Sequence, residues 1–110
     1  MILSICINSK NRTEFISQTI NSFGNFLNEN IELIILDCSD SFQEINFKSN
    51  FIKQYKGDPS YGIDEGYFQV ATLAKGYYIW YMTDDDLVYE NKLDQIVKNL
   101  ENDVDIIFGY

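Results

Sequence analysis

Short apolar runs recur along the chain, with segments of helical spacing between them. Runs of strand length occupy residues 2–7, 31–36 and 77–82, with a weaker run at 51–55 and a last one at 104–108. Continuous apolar runs of this length, bounded by glycine or polar residues, predict strands buried on both faces of a sheet. The run at 77–82 is rich in aromatic residues and is predicted to be a central strand.

Three segments carry apolar residues three or four positions apart, which is the spacing of one helix face. The first is predicted to run from about 13 to 27, with Asn11 and Glu14 as a capping-box-like start. The second is predicted to stop at Lys75 and Gly76, a cationic last turn followed by a glycine. The apolar positions are Ile16, Ile20, Phe23 and Leu27, then Tyr67, Val70, Ala71 and Ala74, then Leu93, Ile96, Val97 and Leu100, and a further short helix is predicted at 42–50.

Strands that alternate with helices predict right-handed βαβ units and a mostly parallel sheet. We therefore predict a single α/β domain over residues 1–110, a three-layer sandwich with a Rossmann-like sheet between its helices. The predicted strands end in polar residues at Asn8, Asp37 and Asp84. Open α/β sheets bind ligands at the carboxyl ends of their strands, so these side chains are candidates for a binding site.

Three consecutive carboxylates, Asp84, Asp85 and Asp86, follow the apolar run at 77–82. Like charges repel one another, so a bound cation explains the triplet, and Mg²⁺ or Mn²⁺ is the kind of hard ion that carboxylates hold. The alternative is a solvated turn that places negative charge near the N-terminus of the next helix. The pattern favours a metal–diphosphate site, and the solvated turn remains the alternative interpretation.

Composition narrows the choice of ligands. Seventeen acidic and eight basic residues give a net charge of -9, which argues against nonspecific binding to nucleic acid or anionic lipid. An anionic ligand would need a cation or a helix N-terminus. No apolar run reaches the length of a transmembrane span. The chain has no histidine, the commonest general base, and Cys6 and Cys38 are predicted to be buried thiols.

Four segments resemble motifs of glycosyltransferase family 2, nucleotide-sugar transferases with the GT-A fold. Residues 3–12 are similar to the family's first strand and the turn after it, and 34–41 to its second strand with an acidic end. Residues 62–80 resemble the helix and strand that lead to the metal motif, and 83–86 match the Asp-x-Asp motif itself. The Gly-x-Asp element and the tryptophan within 62–80 resemble the abequosyltransferase branch, which builds bacterial surface polysaccharides.

The resemblance implies roles for the acidic triplet. Asp84 would face the ribose, and Asp84 and Asp86 would hold Mn²⁺ or Mg²⁺. Asp85 would assist at the metal and contact the nucleotide sugar.

The resemblance also implies a nucleotide pocket. Asp37 would accept a hydrogen bond from the nucleobase, and Asn8 and Ser9 would line the base pocket. Asp64 would lie near the nucleotide. Taken alone, the same residues also fit purely structural roles: an Asx-turn at Asp37, a helix N-cap at Asp64, and turn chemistry at Asn8 and Ser9.

The implied activity is that of an inverting, metal-dependent glycosyltransferase, which moves a sugar from a nucleotide-diphosphate donor to a saccharide or lipid-linked acceptor in bacterial surface polysaccharide synthesis. The chain would be the N-terminal, donor-binding half, with the catalytic base beyond Tyr110. The resemblance implies a cytoplasmic location, with a further C-terminal part that would place the protein at the inner face of the membrane. Two alternatives stay open. One is a non-catalytic nucleotide-sugar-binding module or truncated relic, and the other is an unrelated acidic-pocket α/β protein such as a phosphoryl-transfer or receiver-like domain.

Overall fold

A parallel sheet with a helix on each face forms the part of the chain that the structure describes. The computed structural model describes residues 1–23, 26–45, 47, 49–84, 95, 96 and 98. In chain order the elements are β1 (Leu3–Ser9), α1 (Thr13–Phe23), β2 (Ile31–Asp37), β3 (Ile52–Lys56), α2 (Ile63–Thr72) and β4 (Tyr78–Met82).

The sheet has the strand order β3-β2-β1-β4, and each neighbouring pair is parallel, as predicted. Ser9 at the end of β1 is the register partner of Asp37 in β2, and Ile7 is the partner of Met82 in β4. The chain passes from β1 through α1 to β2 on one side, and through α2 to β4 on the other side of β1. The carboxyl ends of β1 and β4 therefore flank the point where the strand order reverses, which is where open α/β sheets bind ligands.

Two hydrophobic clusters lie on opposite faces of the sheet, because successive side chains of a strand point to opposite faces. The cluster beneath α1 combines odd-numbered residues of β1 and β2 with Ile16 and Phe23. The cluster beneath α2 combines Cys6 and Ile34 with Val70. Helix, sheet and helix form three layers, so the predicted three-layer α/β class is confirmed.

A buried polar pair holds the segment that leads into β4. The Ser4 hydroxyl donates to Oε2 of Glu32 at 2.5 Å, and both side chains are buried. The same carboxyl oxygen accepts from the amide of Lys75 at 2.8 Å, and Ser4 Oγ accepts from the amide of Gly76 at 2.8 Å. Because each buried polar group finds a partner, the pair avoids the penalty of unsatisfied burial and ties the start of β4 to β1.

Cys6 and Cys38 are free, buried thiols, as predicted. Burial, with a smaller contribution from the charge of Glu32, raises the pKa of Cys6 to about 12. Cys6 is therefore a neutral, packed side chain at physiological pH rather than a reactive nucleophile.

The first helix is shorter than predicted and begins differently. It ends at Phe23, and residues 26 and 27 are not helical. The predicted capping box is wrong, because the side chain of Asn11 exchanges hydrogen bonds with Asp40. Asn11 has a φ of 57°, a left-handed conformation that asparagine adopts more readily than most residues.

The short helix predicted at 42–50 is wrong over residues 42–45, which are irregular. The side chain of Gln54 in β3 forms hydrogen bonds with backbone groups of this segment instead. Its Oε1 accepts from the amide of Ile45 at 2.8 Å, and its Nε2 donates to the carbonyl of Gln43 at 3.0 Å. Side chain–backbone bonds of this kind compete with helical ones.

Two predictions for α2 and β4 are also wrong. α2 ends at Thr72, so Lys75 and Gly76 lie beyond it and do not form its stop. β4 is not buried on both faces, since Ile79 and Tyr81 are 42% and 52% exposed. Their face of the sheet is the α2 face, where α2 packs mainly on β1 and β2. α2 reaches β4 through Tyr67, whose ring meets that of Tyr81 edge-on and whose hydroxyl donates to the carbonyl of Met82 at 3.0 Å.

The last part of the chain is described at three positions only. Residues 95, 96 and 98 are helical, and Ile96 packs against the cluster beneath α1. The rest of the helix predicted around 93–100 and the strand predicted at 104–108 lie outside the described residues. Among the described residues, no helix combines the length and apolar character needed to cross a membrane.

Candidate functional site at the carboxyl edge of the sheet

The ends of β1, β2 and β4 bring Ser9, Asp37 and Asp84 to one edge of the sheet. The Ser9 hydroxyl donates to Oδ2 of Asp84 at 2.9 Å, which joins the ends of β1 and β4. The Ser9 carbonyl accepts from the amide of Cys38 at 2.8 Å, which continues the β1–β2 contact past Asp37. Asn8 lies on the opposite, α2 side of the same edge. The expectation that these strand ends converge is confirmed.

Asp84 is held through both its side chain and its main chain. Its Oδ2 accepts from Ser9, and its Oδ1 lies 3.3 Å from Nε of Arg12. Its main-chain carbonyl accepts from the hydroxyl of Thr19 at 2.7 Å. Ser9, Thr19 and Asp84 are only 2%, 0% and 8% exposed. The conformation of the chain at Asp84 is therefore fixed by contacts with the β1–α1 turn and with α1.

Arg12 brings a positive charge to Asp84 from a partly exposed position. Its guanidinium lies 4.5 Å from the ring centroid of Phe15, and its side chain is 43% exposed. A planar guanidinium stacked on an aromatic ring loses little freedom when it binds a carboxylate. Exposed ion pairs contribute little to stability, so we attribute to Arg12 the orientation of the Asp84 carboxylate.

The groups at Asp84 fit a hard divalent cation in their chemistry. A carboxylate can accept about four hydrogen bonds or metal contacts, and Ser9 and Arg12 use one position on each oxygen. Oxygen ligands are those that Mg²⁺ and Mn²⁺ prefer. Within the described part of the chain, no group of three or more Asp, Glu, Cys or His side chains is arranged so that it could hold a metal ion. Asp85 and Asp86 lie outside the described residues, so the metal assignment stays a prediction.

Asp37 is a buried carboxylate with donors at both oxygens. Its Oδ1 accepts from the Ser39 amide at 3.0 Å and from the Ser39 hydroxyl. Its Oδ2 accepts from Nε2 of Gln54 at 3.3 Å. The bond to the Ser39 amide is that of an Asx-turn, so the Asx-turn alternative at Asp37 is confirmed. The predicted contact with a nucleobase stays a prediction.

Asn8 connects the end of β1 to α2. Its Nδ2 lies 3.4 Å from the carbonyl oxygen of Ile63, and its Oδ1 accepts from the Cys38 thiol at 3.6 Å. The carboxamide packs so closely on Gly66 that a Cβ at residue 66 would overlap it. Burial and then the charge of Asp37 raise the pKa of Cys38, which keeps this thiol a neutral donor.

Asp64 lies in the exposed first turn of α2 and is not its cap. The N-cap is Gly62, and no side chain caps the helix there. The N-cap alternative at Asp64 is therefore wrong. Because Asn8 reaches the carbonyl of Ile63, the turn that carries Asp64 lies beside the end of β1.

Two residues at this edge, Thr19 and Gln54, were not identified from the sequence pattern. Thr19 stands three positions after Ile16 and four before Phe23, within the apolar stripe of α1. A polar residue on the buried face of a helix is a signal, because a buried hydroxyl needs a partner. Gln54 carries no such signal, since a polar residue in a half-buried strand is ordinary.

The fold and the edge define a class: parallel α/β proteins with polar side chains gathered where the strand order reverses, the ligand-binding position of such sheets. Within that class the family is specific. Residues 4–109 match glycosyl transferase family 2, and the chain belongs to this family.

Known relatives share the fold and cover the chain nearly completely. The abequosyltransferase RfbV of Salmonella typhimurium is 28% identical in an alignment 115 residues long. The alignment covers 96% of this chain and 34% of RfbV. S. aureus TarS 1-349 aligns with a TM-score of 0.70 at 16% identity, over 93% of this chain and 33% of that chain. The complex of TarS 1-349 with UDP-GlcNAc gives a TM-score of 0.70 at 18% identity, over 93% and 32%. The GT-A-type fold is thus confirmed, and the chain spans about a third of the length of these relatives.

Proposed function

We propose that the chain is the donor-binding part of a glycosyltransferase that moves a sugar from a nucleotide-diphosphate donor to a saccharide or lipid-linked acceptor. The observation that carries the proposal is the Ser9–Asp84 hydrogen bond, which joins β1 to the acidic end of β4 at the strand-order reversal. TarS structures in complex with UDP and with UDP-GlcNAc support a nucleotide-sugar ligand. The likeness to an abequosyltransferase supports our further proposal of a role in bacterial surface polysaccharide synthesis, on the cytoplasmic side of the membrane.

In this proposal the nucleobase binds at Asp37. Ser39 occupies Oδ1 with two hydrogen bonds, whereas the bond from Gln54 to Oδ2 is long at 3.3 Å. Oδ2 is therefore the oxygen that a nucleobase N–H would approach. Ser9 and Asn8 would border the pocket on its two sides.

The acidic triplet serves the diphosphate and the ribose. Asp84 and Asp86 would hold Mn²⁺ or Mg²⁺, Asp85 would assist them, and Asp84 would face the ribose. When bound, the cation neutralises the charge that develops on the departing diphosphate. Asp64, in the first turn of α2, lies near the nucleotide. Because the chain has a net charge of -9, a bound cation would offset the repulsion between the protein and an anionic donor.

A thermal-shift panel tests the donor site. The protein is melted with UDP and UDP-GlcNAc, each with and without Mn²⁺, and the panel is repeated on Asp86→Asn. We expect stabilisation that requires Mn²⁺, of about 2.7 kcal/mol at a nucleotide concentration 100 times the Kd. The variant should lose it, because an amide replaces an anionic metal ligand.

Glu29→Gln is the matched control, since it also converts a carboxylate to an amide. Glu29 is exposed and lies just before β2, at the other end of the strands. This variant should keep the metal-dependent shift. Equal shifts in wild type and Asp86→Asn would overturn the metal assignment. In a protein that includes the part beyond Tyr110 expected to carry the catalytic base, metal-dependent binding with no transfer to any saccharide or lipid-linked acceptor would favour the non-catalytic module. The anomeric configuration of a transferred sugar, read by NMR, tests the inverting mechanism.

A further inference from the structure

We infer that Thr19 is a positioning residue that sets the geometry of the cation site at the end of β4. The inference rests on the proposed function, because it concerns how that site is built. Its basis is the hydrogen bond from the Thr19 hydroxyl to the main-chain carbonyl of Asp84, at 2.7 Å and across 65 residues of sequence.

Asp84 has two anchors that control different torsions. Ser9 and Arg12 bind the carboxylate and so fix the side-chain torsions of Asp84. Thr19 binds the carbonyl, which belongs to the peptide group that joins Asp84 to Asp85. Its hydrogen bond therefore fixes the backbone torsion that decides the direction in which the chain leaves β4. Without Thr19 the carboxylate would stay anchored while that peptide group could rotate.

The surroundings of Thr19 are apolar, so the hydroxyl at this position is not explained by packing. The side chain is fully buried and belongs to the helix face that carries Ile16 and Phe23. Valine has the same shape and would fill this position without needing a polar partner. Burial of a hydroxyl is unfavourable unless it is hydrogen-bonded. At this position the partner is the carbonyl of Asp84, the first residue of the acidic triplet.

Ligand geometry is the property that such an anchor changes. Metal sites require their ligands within about half an ångström of the correct place, and that accuracy comes from the groups that hold the ligands. Loss of a supporting hydrogen bond typically lowers metal affinity by 10–100-fold. We therefore expect Thr19 to affect cation affinity more than folding.

The experiment measures Mn²⁺ binding from the EPR signal of the free ion, with and without UDP, in the purified wild type, Thr19→Val and Thr19→Ser. Thr19→Val keeps the shape and removes the hydroxyl, and should raise the Kd for Mn²⁺ about tenfold. Thr19→Ser restores the hydroxyl and should recover most of the affinity. Thr72→Val is the control, because Thr72 also donates to a main-chain carbonyl, that of Gln69, but at the end of α2. It should bind Mn²⁺ as the wild type does.

The outcomes separate this inference from the proposed function. A wild type that binds no Mn²⁺, alone or with UDP, would overturn the proposed metal site and the role of Thr19 together. Wild-type binding with equal affinity in Thr19→Val would overturn the role of Thr19 alone. Equal losses in Thr19→Val and Thr19→Ser would also overturn it, because the hydroxyl restored in the serine variant would then recover none of the affinity. Thr19→Ala replaces Thr19→Val if the valine variant does not fold, with the same outcomes.

Discussion

At the residue scale, the contact between Asn8 and Gly66 depends on the absence of a side chain. The carboxamide of Asn8 occupies the space in which a Cβ of residue 66 would lie. The same carboxamide bonds to the first residue of α2 and to Cys38. A glycine on the inner face of α2 therefore lets an asparagine of β1 reach across and join three elements at the binding edge.

Gly66→Ala should lower the free energy of unfolding by about 1–3 kcal/mol, because the new methyl group must displace the Asn8 carboxamide. The Asn8→Ala background removes that obstacle. There, the same substitution should be neutral or stabilising by about 0.5–1 kcal/mol, since alanine favours the helix over glycine. Urea unfolding of the four proteins in a double-mutant cycle measures the coupling. An equal cost of Gly66→Ala in both backgrounds would contradict the contact.

Which polar residues gather at this edge of the sheet was partly predictable from the sequence, but which atoms join them was not. Asn8, Asp37 and Asp84 were predicted because each stands at the end of an apolar run, and parallel strands bring such ends together. Ser9 was predicted only from the family resemblance. The bond between Ser9 and Asp84 spans 75 residues, and no local spacing encodes it. Thr19 was missed because helical periodicity identifies the buried face without assigning a partner to a hydroxyl on it.

At the element scale, β4 is positioned by the approach of its leading segment to β1. The amide of Gly76 bonds to Ser4 Oγ, and a Cβ at residue 76 would lie 2.7 Å from the main-chain nitrogen of Ser4. The sequence identified this glycine as a helix stop, because glycine after an apolar helix usually ends it. In the structure α2 ends at Thr72, and Gly76 instead allows the close approach of the chain to β1. A glycine signals an unusual backbone requirement without saying which one.

Gly76→Ala should therefore destabilise the sheet by about 2 kcal/mol or more, since the obstacle is the backbone of β1 rather than a side chain that can rotate away. Gly62→Ala is the matched control, because a Cβ there would meet nothing within 4 Å. It should cost less than about 1 kcal/mol, the loss of a moderate N-cap. Thermal unfolding followed by circular dichroism compares the two. Similar losses at both positions would show that the approach to β1 is not limiting.

At the scale of the whole molecule, the two faces of the sheet differ in chemistry. On the α1 face the core is apolar, and the buried polar side chains Ser9, Thr19 and Asp37 are partnered at or near the carboxyl edge. The α2 face instead buries Ser4 and Glu32 together with Cys6 and Cys38. Among the described residues, no buried side-chain nitrogen or oxygen lacks a hydrogen-bond partner. The strand pattern predicted both faces as apolar, because Ser4 and Glu32 are single polar residues within apolar runs. Because Ser4 and Glu32 pair across β1 and β2, a buried carboxyl group lies on the α2 face, and its charge acts on the ionisation of Cys6.

Cys6 makes this effect of charge measurable as a dependence of stability on pH. Burial and the charge of Glu32 raise its pKa from the ordinary value of 9.0 to about 12 in the folded protein. Below pH 9 the thiol is neutral in both the folded and the unfolded chain, so its contribution to stability is complete. Between pH 9 and 12 only the unfolded chain ionises, and stability should fall by about 1.4 kcal/mol per pH unit from this group.

Cys6→Ala isolates that contribution, because every other titrating group is the same in both proteins. At pH 8 the variant should be somewhat less stable than the wild type, since the smaller side chain leaves space beside Val70 and Ile34. By pH 10.5 the difference should shrink or reverse, because the variant has no thiol to ionise on unfolding. Urea unfolding in the presence of a reductant, at half-unit steps from pH 8 to 10.5, gives both curves. Parallel curves would show that the thiol is not held neutral by the fold.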